Sequence, residues 1–214
     1  MSQPLRIDIV SDVVCPWCAI GYNQLRVALE QSGTDAEVHW HPFQLNPDMG
    51  PEGQNLREHL SEKYGISTED SAVNRERIRT LAAEVGFAIN FTEEMRTYNT
   101  MAAHQLIHFA GFHGLEHQTK QALLKAYFTD GRDVSDMDVL MDIAETVGLD
   151  TAAAREAIES GQYLELVQQH MLFWTKQGIS GVPAIILDQK YLINGAAGVD
   201  NFKRAIEQAR TAAE

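Results

Sequence analysis

The sequence predicts an α/β protein in which a long helical segment separates the two parts of the sheet. Three observations support this. Residues 5–43 have the pattern strand, helix, strand; apolar residues then recur at helical spacing through residues 47–171; and a short hairpin pattern followed by a helix closes the chain. With 214 residues, of which 44% are hydrophobic and 22% charged, the chain has the composition of an ordinary globular protein.

The first elements place both cysteines of the chain at one turn. Residues 5–10 alternate apolar and polar side chains, which predicts a half-buried strand. Residues 19–30 carry apolar side chains at helical spacing, and residues 37–43 have the pattern of a second strand. Cys15 and Cys18 therefore lie where the first strand turns into the first helix.

The middle of the chain is expected to be entirely helical. A loop rich in proline and glycine, residues 46–55, precedes it. Ser135 followed by Asp138 predicts a capping box at the start of one helix, and Asp150 is expected to cap the next.

The β pattern returns near the end of the chain. Residues 184–187 and 191–194 flank a turn at residues 188–190, which predicts an antiparallel hairpin. A final helix is indicated by apolar residues at helical intervals, namely Phe202, Ala205, Ile206 and Ala209. We therefore expect residues 1–46 and 172–214 to form one domain, with residues 47–171 as a helical insertion.

Charge and hydropathy exclude several classes of partner. Seventeen basic and thirty acidic residues give a net charge of −13, which repels nucleic acid and anionic lipid. The N-terminus lacks the apolar core of a secretory signal, and no apolar run approaches the roughly 20 residues of a membrane span. The expectation is a cytoplasmic protein without nucleic-acid or membrane partners.

In a reducing cytosol, two cysteines three positions apart are more typical of catalysis or metal binding than of a structural disulfide.

The position of the cysteines predicts a division of work between them. A thiol at the first turn of a helix faces unpaired backbone N–H groups and the positive end of the helix dipole, which lower its pKa. Pro16 suits the first helical position, where an N–H has no intrahelical partner. We expect Cys15 to be exposed and nucleophilic. Cys18, one turn further along, is expected to be sheltered and to resolve the mixed disulfide on Cys15.

Zinc binding is an alternative for the same motif. A C-x-x-C pair is half of a four-ligand zinc site, for which His39 and His41 are available, but the chain has no further cysteine. Histidines also occur four residues apart in the helical segment, without an H-E-x-x-H arrangement and with glycines between the two pairs. We therefore predict no metal site. These histidines are His104, His108, His113 and His117.

The motifs and their order resemble the thioredoxin-fold disulfide oxidoreductases of the DsbA superfamily. The resemblance rests on CPWC after a first strand, a long helical insertion, and Gly-Val-Pro before a late hairpin. The sequence is similar along nearly its whole length to the FrnE-like branch of this superfamily. The similar stretches include FQLNPDM (43–49), AYFTDGRDVSD (126–136) and GISGVPA (178–184). The resemblance implies a thioredoxin-like fold with an inserted all-helical domain.

The resemblance also implies roles for individual residues. Cys15 would be the attacking sulfur, Cys18 the resolving sulfur, and Pro183 a cis-proline opposite them, although few X-Pro bonds are cis in folded proteins. The backbone of Val182 would face Cys15 and pair with an extended substrate. The implied substrates are thiol or disulfide proteins and peptides, with glutathione as a candidate reductant and no cofactor beyond the two sulfurs.

Neighbours of the cysteines are weaker candidates for the site. Trp17, together with Pro16, offers an apolar contact surface for substrate, although a purely structural tryptophan fits equally well. Asp12, three residues before Cys15, is a candidate proton relay for Cys18, although an acidic residue that closes a strand is expected to be solvated.

Two other functions remain open at this point. The same superfamily contains kappa-class glutathione transferases and 2-hydroxychromene-2-carboxylate isomerases, which resemble this layout but use a serine at the position of Cys15. A zinc-binding chaperone or interaction module is the other alternative. The presence of both sulfurs favours a thiol-disulfide oxidoreductase or disulfide isomerase.

The residue between the cysteines leads to a prediction about redox potential. DsbA has a histidine in this dipeptide, whereas this chain has Trp17, and a neutral indole cannot stabilise a thiolate as an imidazolium does. We expect a potential more negative than DsbA's, which is about −120 mV. A glutathione redox titration measures it, and a value close to that of DsbA would contradict the prediction.

Overall fold

The computed structural model describes residues 3–211 of the chain. In chain order, the elements are β1 (Leu5–Ser11), α1 (Pro16–Ser32), β2 (Ala36–Pro42), β3 (Gln54–Asn55), α2 (Leu56–Tyr64), α3 (Thr68–Glu84), β4 (Arg96–Thr97), α4 (Met101–Gly111), α5 (Glu116–Phe128), α6 (Met137–Val147), α7 (Thr151–Glu159), α8 (Leu164–Lys176), β5 (Ala184–Leu187), β6 (Tyr191–Asn194) and α9 (Val199–Thr211).

The two ends of the chain form one four-stranded sheet in the order β2-β1-β5-β6. β1 and β2 are parallel, β5 is antiparallel to β1, and β6 is antiparallel to β5. Helices α1 and α9 pack on one face of this sheet, with buried side chains from β1, α1, β5 and α9 between them. The predicted hairpin and final helix are confirmed, and the fold is the predicted α/β fold with a helical insertion.

The first strand is more buried than its alternating pattern predicts. Apart from Arg6, every residue of β1 is buried, so the expectation of a half-buried strand is wrong. The strand is central in the sheet, and its polar residue Asp8, which is 2% exposed, forms an ion pair with Arg6 and a hydrogen bond with His41, at 2.8 Å each. Burial of a carboxylate is tolerated because its charge is paired.

The helical insertion shares a core with the turn that carries the cysteines. Leu106, Leu123 and Leu124 of α4 and α5 belong to the same buried cluster as Val13 and Ile20. The insertion therefore packs directly on the start of α1. The predicted boundary at residue 172 lies within α8 (Leu164–Lys176), and the division into domains stays a prediction.

The expectation of an entirely helical insertion is wrong at one place. Gln54 and Asn55 of β3 pair antiparallel with Thr97 and Arg96 of β4. Asn55 then caps α2, because its side chain accepts hydrogen bonds from the first backbone N–H groups of that helix. This short ladder ties the loop after β2 to the segment before α4, a long-range pairing that has no local sequence signal.

One of the two predicted helix caps is confirmed. Asp150 accepts hydrogen bonds from the backbone N–H groups of two residues in the first turn of α7. The predicted capping box of Ser135 and Asp138 is wrong, because Asp136 caps α6 and the Ser135 hydroxyl donates to Asp133 at 2.6 Å instead. Among residues 3–211, no helix is long and apolar enough to cross a bilayer.

A glycine allows α1 to lie close to the loop before β5. A Cβ atom at Gly21 would lie 3.0 Å from Cγ of Pro183 and 3.6 Å from the backbone oxygen of Gly195. Gly21 and Pro183 are both buried. A larger side chain would therefore separate α1 from Pro183.

We expect Gly21→Val to destabilise the protein by about 1–3 kcal/mol, the usual cost of overpacking a core. Gly111→Val is the matched control, because a Cβ atom at Gly111, the last residue of α4, meets no atom within 4 Å. Urea unfolding measures both, and equal midpoint shifts would contradict this account of Gly21.

Candidate active site

The turn between β1 and α1 places both cysteines at a helix N-terminus. Cys15 is the N-cap residue, with extended backbone angles of φ −96° and ψ 112°, and Pro16 is the first helical residue. The backbone N–H of Cys18 donates to the carbonyl oxygen of Cys15 at 3.0 Å. Both are free cysteines. The sulfurs therefore lie beside the positive end of the helix dipole, as predicted.

Both cysteines are buried, which corrects one prediction. Cys15 is 3% exposed and Cys18 is fully buried, whereas the sequence predicts an exposed Cys15. The helical insertion lies over the start of α1 and covers it. Cys15 instead lines a cavity of about 430 Å³, which we call the active-site cavity. Cys18 is not part of its lining, so the two sulfurs differ in access as expected.

The active-site cavity lies between the cysteine turn and the insertion. Pro16, Trp17 and Val182, the predicted substrate-contact residues, all line it. The insertion contributes most of the remaining lining. Its apolar part includes Leu56, Leu60, Ile78, Phe91 and Phe128, and its polar part includes His59, Ser71, Asn74 and Arg75.

The loop before β5 faces Cys15. The Val182–Pro183 peptide bond is cis, the isomer that the resemblance implies. The Cys15 thiol donates a weak hydrogen bond to the carbonyl oxygen of Val182, with 3.6 Å between sulfur and oxygen. The structure thus brings together Cys15, Cys18, Val182 and Pro183, whose roles stay predictions.

A buried acid lies directly before the cysteine turn. Asp12 is fully buried, so the expectation of a solvated side chain is wrong. Its carboxylate accepts hydrogen bonds from the backbone N–H groups of Val13 and Leu45, each at 2.8 Å. Nε2 of His104 lies 3.2 Å from the same carboxylate and 2.9 Å from the carbonyl oxygen of Phe43. Because both neighbours are acceptors, we assign the ring hydrogen to Nε2.

The charge state of this pair follows from its contacts. Burial opposes ionisation of Asp12, but the hydrogen bonds from His104 and from the Leu45 N–H outweigh it and lower the pKa of Asp12. Burial lowers the pKa of His104, against the influence of Asp12. The arrangement is therefore a carboxylate held by a neutral imidazole.

A lysine from the insertion is buried beneath the cysteines. Lys120 of α5 is 1% exposed, its Nζ lies 3.4 Å from the carbonyl oxygen of Ser11, and it lies 5.3 Å from the ring centre of Trp40. Burial lowers the pKa of Lys120, whereas Cys18 and Asp12 act in the opposite direction.

Sequence reasoning missed Lys120, although the sequence carries a signal for it. Lys120 precedes the buried residues Leu123, Leu124 and Tyr127 by three, four and seven positions. It therefore stands on the apolar stripe of α5, where a charged residue has to find a buried partner.

The two thiols ionise as a pair. The interaction with Cys18, followed by burial, raises the pKa of Cys15 well above its usual value. Burial opposes ionisation of Cys18 too, but the interaction with Cys15 and the charge of Lys120 outweigh it and lower the pKa of Cys18. The charge of Lys120 thus favours a thiolate at Cys18, and the lowered pKa of Cys15 that its place at the helix start indicates stays a prediction.

The four histidines of the helical segment do not converge on one point. His104 bonds to Asp12, while His117 accepts from Nε1 of Trp40 at 3.1 Å and contacts the Tyr22 hydroxyl at 3.0 Å. His108 packs on Tyr163 and His113 on Phe109. Within residues 3–211, no group of three or more potential ligands is arranged to hold a metal ion.

The fold and the site together define a class of protein. A C-x-x-C pair at the start of a helix, opposite a cis-proline that precedes an antiparallel hairpin, is the arrangement of a thioredoxin-fold dithiol protein. The chain belongs to the family of the DSBA-like thioredoxin domain, whose model matches residues 6–207. The finer placement in the FrnE-like branch stays a prediction.

Known proteins similar to this chain cover nearly its whole length. The uncharacterized Bacillus subtilis protein YwbO is 31% identical over 203 residues, which are 94% of this chain and 96% of YwbO. The probable DsbA oxidoreductase SCO1869 of Streptomyces coelicolor is 29% identical, with a TM-score of 0.89 over 97% of this chain and 90% of that one. The cytosolic disulfide reductase DsbM of Pseudomonas aeruginosa, in its structure with GSH, has a TM-score of 0.65 at 17% identity and covers 97% of this chain and all of its own.

We expect Lys120→Met to raise the pH at which the reduced cysteine pair first ionises. The substitution keeps most of the side-chain volume and removes the cation that favours a thiolate at Cys18. Thiolate absorbance as a function of pH measures the change. Lys125→Met is the matched control, because Lys125 lies on the same helix, is exposed and pairs with Asp130. Equal titrations of the two variants would contradict a role for Lys120.

Proposed function

We propose that the protein is a thiol-disulfide oxidoreductase that exchanges a dithiol and a disulfide at Cys15 and Cys18. The observation that carries this proposal is the unequal access of the two sulfurs. Cys15 lines the active-site cavity, whereas Cys18, which is fully buried, does not. Membership of the DSBA-like family supports the same chemistry.

In the proposed exchange, the Cys15 thiolate attacks one sulfur of a substrate disulfide. The substrate S–S bond breaks, one substrate thiolate leaves, and a mixed disulfide forms on Cys15. Cys18 then attacks the Cys15 sulfur and releases the second substrate thiolate. The two thiol protons of the pair end on the two leaving groups, so the substrate gains two electrons and the pair loses two. The reverse sequence oxidises a substrate dithiol.

The coupled ionisation of the two sulfurs prepares the first step. Because the ionisation of each sulfur depends on that of the other, the pair titrates as one unit, and a thiolate at Cys18 can take up the proton of Cys15. Cys15 then becomes the thiolate in the cavity. In this proposal the backbone of Val182 pairs with an extended substrate, and its contact with Cys15 supports that role.

The exchange also needs a reductant and a cellular location in which the cysteine pair can cycle. The exchange requires no cofactor beyond the two sulfurs, and we propose glutathione as the reductant that regenerates the pair. We also propose a cytoplasmic location, where thiols keep such a pair cycling. Structural similarity to DsbM, a cytosolic disulfide reductase whose structure contains GSH, supports both points.

We expect Cys18→Ser to accumulate a mixed disulfide on Cys15, because the first step is intact and the resolving sulfur is missing. Mass spectrometry after reaction with oxidised glutathione should show about one adduct per chain. Cys15→Ser is the matched control and should show little adduct, because Cys18 is fully buried. Equal labelling of the two variants, or none on Cys18→Ser, would contradict the scheme.

The size of the active-site cavity supports a second candidate function. A volume of about 430 Å³ is within the range of small-molecule sites, so a glutathione-dependent isomerase or transferase would also fit. That function needs only one sulfur. Glutathione-dependent turnover of a small substrate that survives in Cys18→Ser would favour it over dithiol exchange.

A further inference from the structure

A buried hydroxyl in the active-site cavity has no protein partner. Ser71 of α3 is 4% exposed, and its Oγ has no hydrogen-bond partner among the residues that the structure describes. Buried polar side chains nearly always have a partner, since an unpaired one costs about 1–3 kcal/mol. Ser71 lines the cavity that Cys15 also lines. A bound molecule is therefore a natural partner for this hydroxyl.

A guanidinium lies one helical turn from Ser71. Arg75 lines the same cavity, and its side chain is 15% exposed. One of its nitrogen atoms lies 3.5 Å from the carboxylate of Glu93, to which Arg57 is also paired. Two guanidiniums thus share one carboxylate, which leaves one positive charge in excess beside the cavity. Because a hydroxyl can donate and a guanidinium can only donate, the group that both would bind is an acceptor.

The rest of the cavity requires an apolar ligand. Its walls are formed mainly by leucine, isoleucine and aromatic side chains of the insertion and by Trp17. Its volume of about 430 Å³ is suited to a small molecule with one or two rings. Since Cys15 is 3% exposed, a reacting sulfur has to enter this space.

We propose that the active-site cavity binds small disulfides or thiols that combine an apolar, ring-sized body with a carboxylate. Ser71 and Arg75 hold the carboxylate, the apolar walls hold the body, and Cys15 exchanges with its sulfur. This inference rests on the proposed function and names its substrate class. The chemistry is the exchange described above: the S–S bond of the small disulfide breaks, its two halves leave as thiols, and the Cys15–Cys18 disulfide forms.

Stopped-flow oxidation of the reduced protein tests this with three disulfides. They are 5,5′-dithiobis(2-nitrobenzoate), which is aromatic and anionic, 2,2′-dipyridyl disulfide, which is aromatic and neutral, and bis(2-hydroxyethyl) disulfide, which is small and polar. Each rate is divided by that of free glutathione with the same reagent, which removes intrinsic reactivity. We expect the rate with the anionic aromatic reagent to saturate with concentration and to exceed that with the neutral one after this correction.

The variants separate recognition from chemistry. Arg75→Met should lower the anionic-to-neutral rate ratio about tenfold and Ser71→Ala about threefold, as expected for a charged and a neutral hydrogen bond. Arg79→Met is the matched control on the same helix, because Arg79 pairs with Glu76 on the surface, and it should leave the ratio unchanged. Ile78→Trp, which fills the cavity, should slow both aromatic reagents and spare the polar one. Circular dichroism checks that each variant is folded.

Two failures have different meanings. If none of the three disulfides oxidises the pair, the proposed function itself is wrong. If the polar disulfide oxidises the pair, but the anionic reagent shows no saturation and Arg75→Met behaves as Arg79→Met does, the exchange stands and this substrate class is wrong.

Discussion

Packing of the helical insertion on the cysteine turn is the contact on which the rest of the site depends. Val13 and Ile20, on either side of the two cysteines, share one buried cluster with Leu123 of α5. This contact removes Cys15 from solvent and closes one side of the active-site cavity. A sheet and helix pair alone would leave the start of α1 open. Fold and reactivity are therefore set by the same interface.

The same interface makes buried charges effective. Asp12 comes from the end of β1, whereas Lys120 and His104 come from the insertion, and all three are at least 97% buried. Charges interact more strongly where water is excluded, so Asp12 and Lys120 influence each other's ionisation and that of the two thiols, while His104 acts on Asp12. Removal of one partner leaves another charge buried and unpaired, which is costly. This network links the stability of the interface to the ionisation of the two thiols.

Local sequence patterns are sufficient to predict the main helices and strands. They do not predict the contacts between residues that are far apart in the chain. The hairpin at residues 184–194 and the start of α1 at the CPWC motif were predicted from turn residues and periodicity, because neighbours in sequence determine them. The burial of Cys15 and the β3–β4 pairing depend on residues far away in the chain. Ser71 has no sequence signal that distinguishes it from other polar helix residues, because its significance depends on the cavity that it lines.

The burial of Cys15 also has a consequence for the cellular environment. A cell contains thiols and disulfides of very different sizes. Because the Cys15 sulfur lies within the fold, at 3% exposure, a molecule has to enter the cavity before it can contact this sulfur. Burial therefore protects this sulfur from contact with the surfaces of other folded proteins.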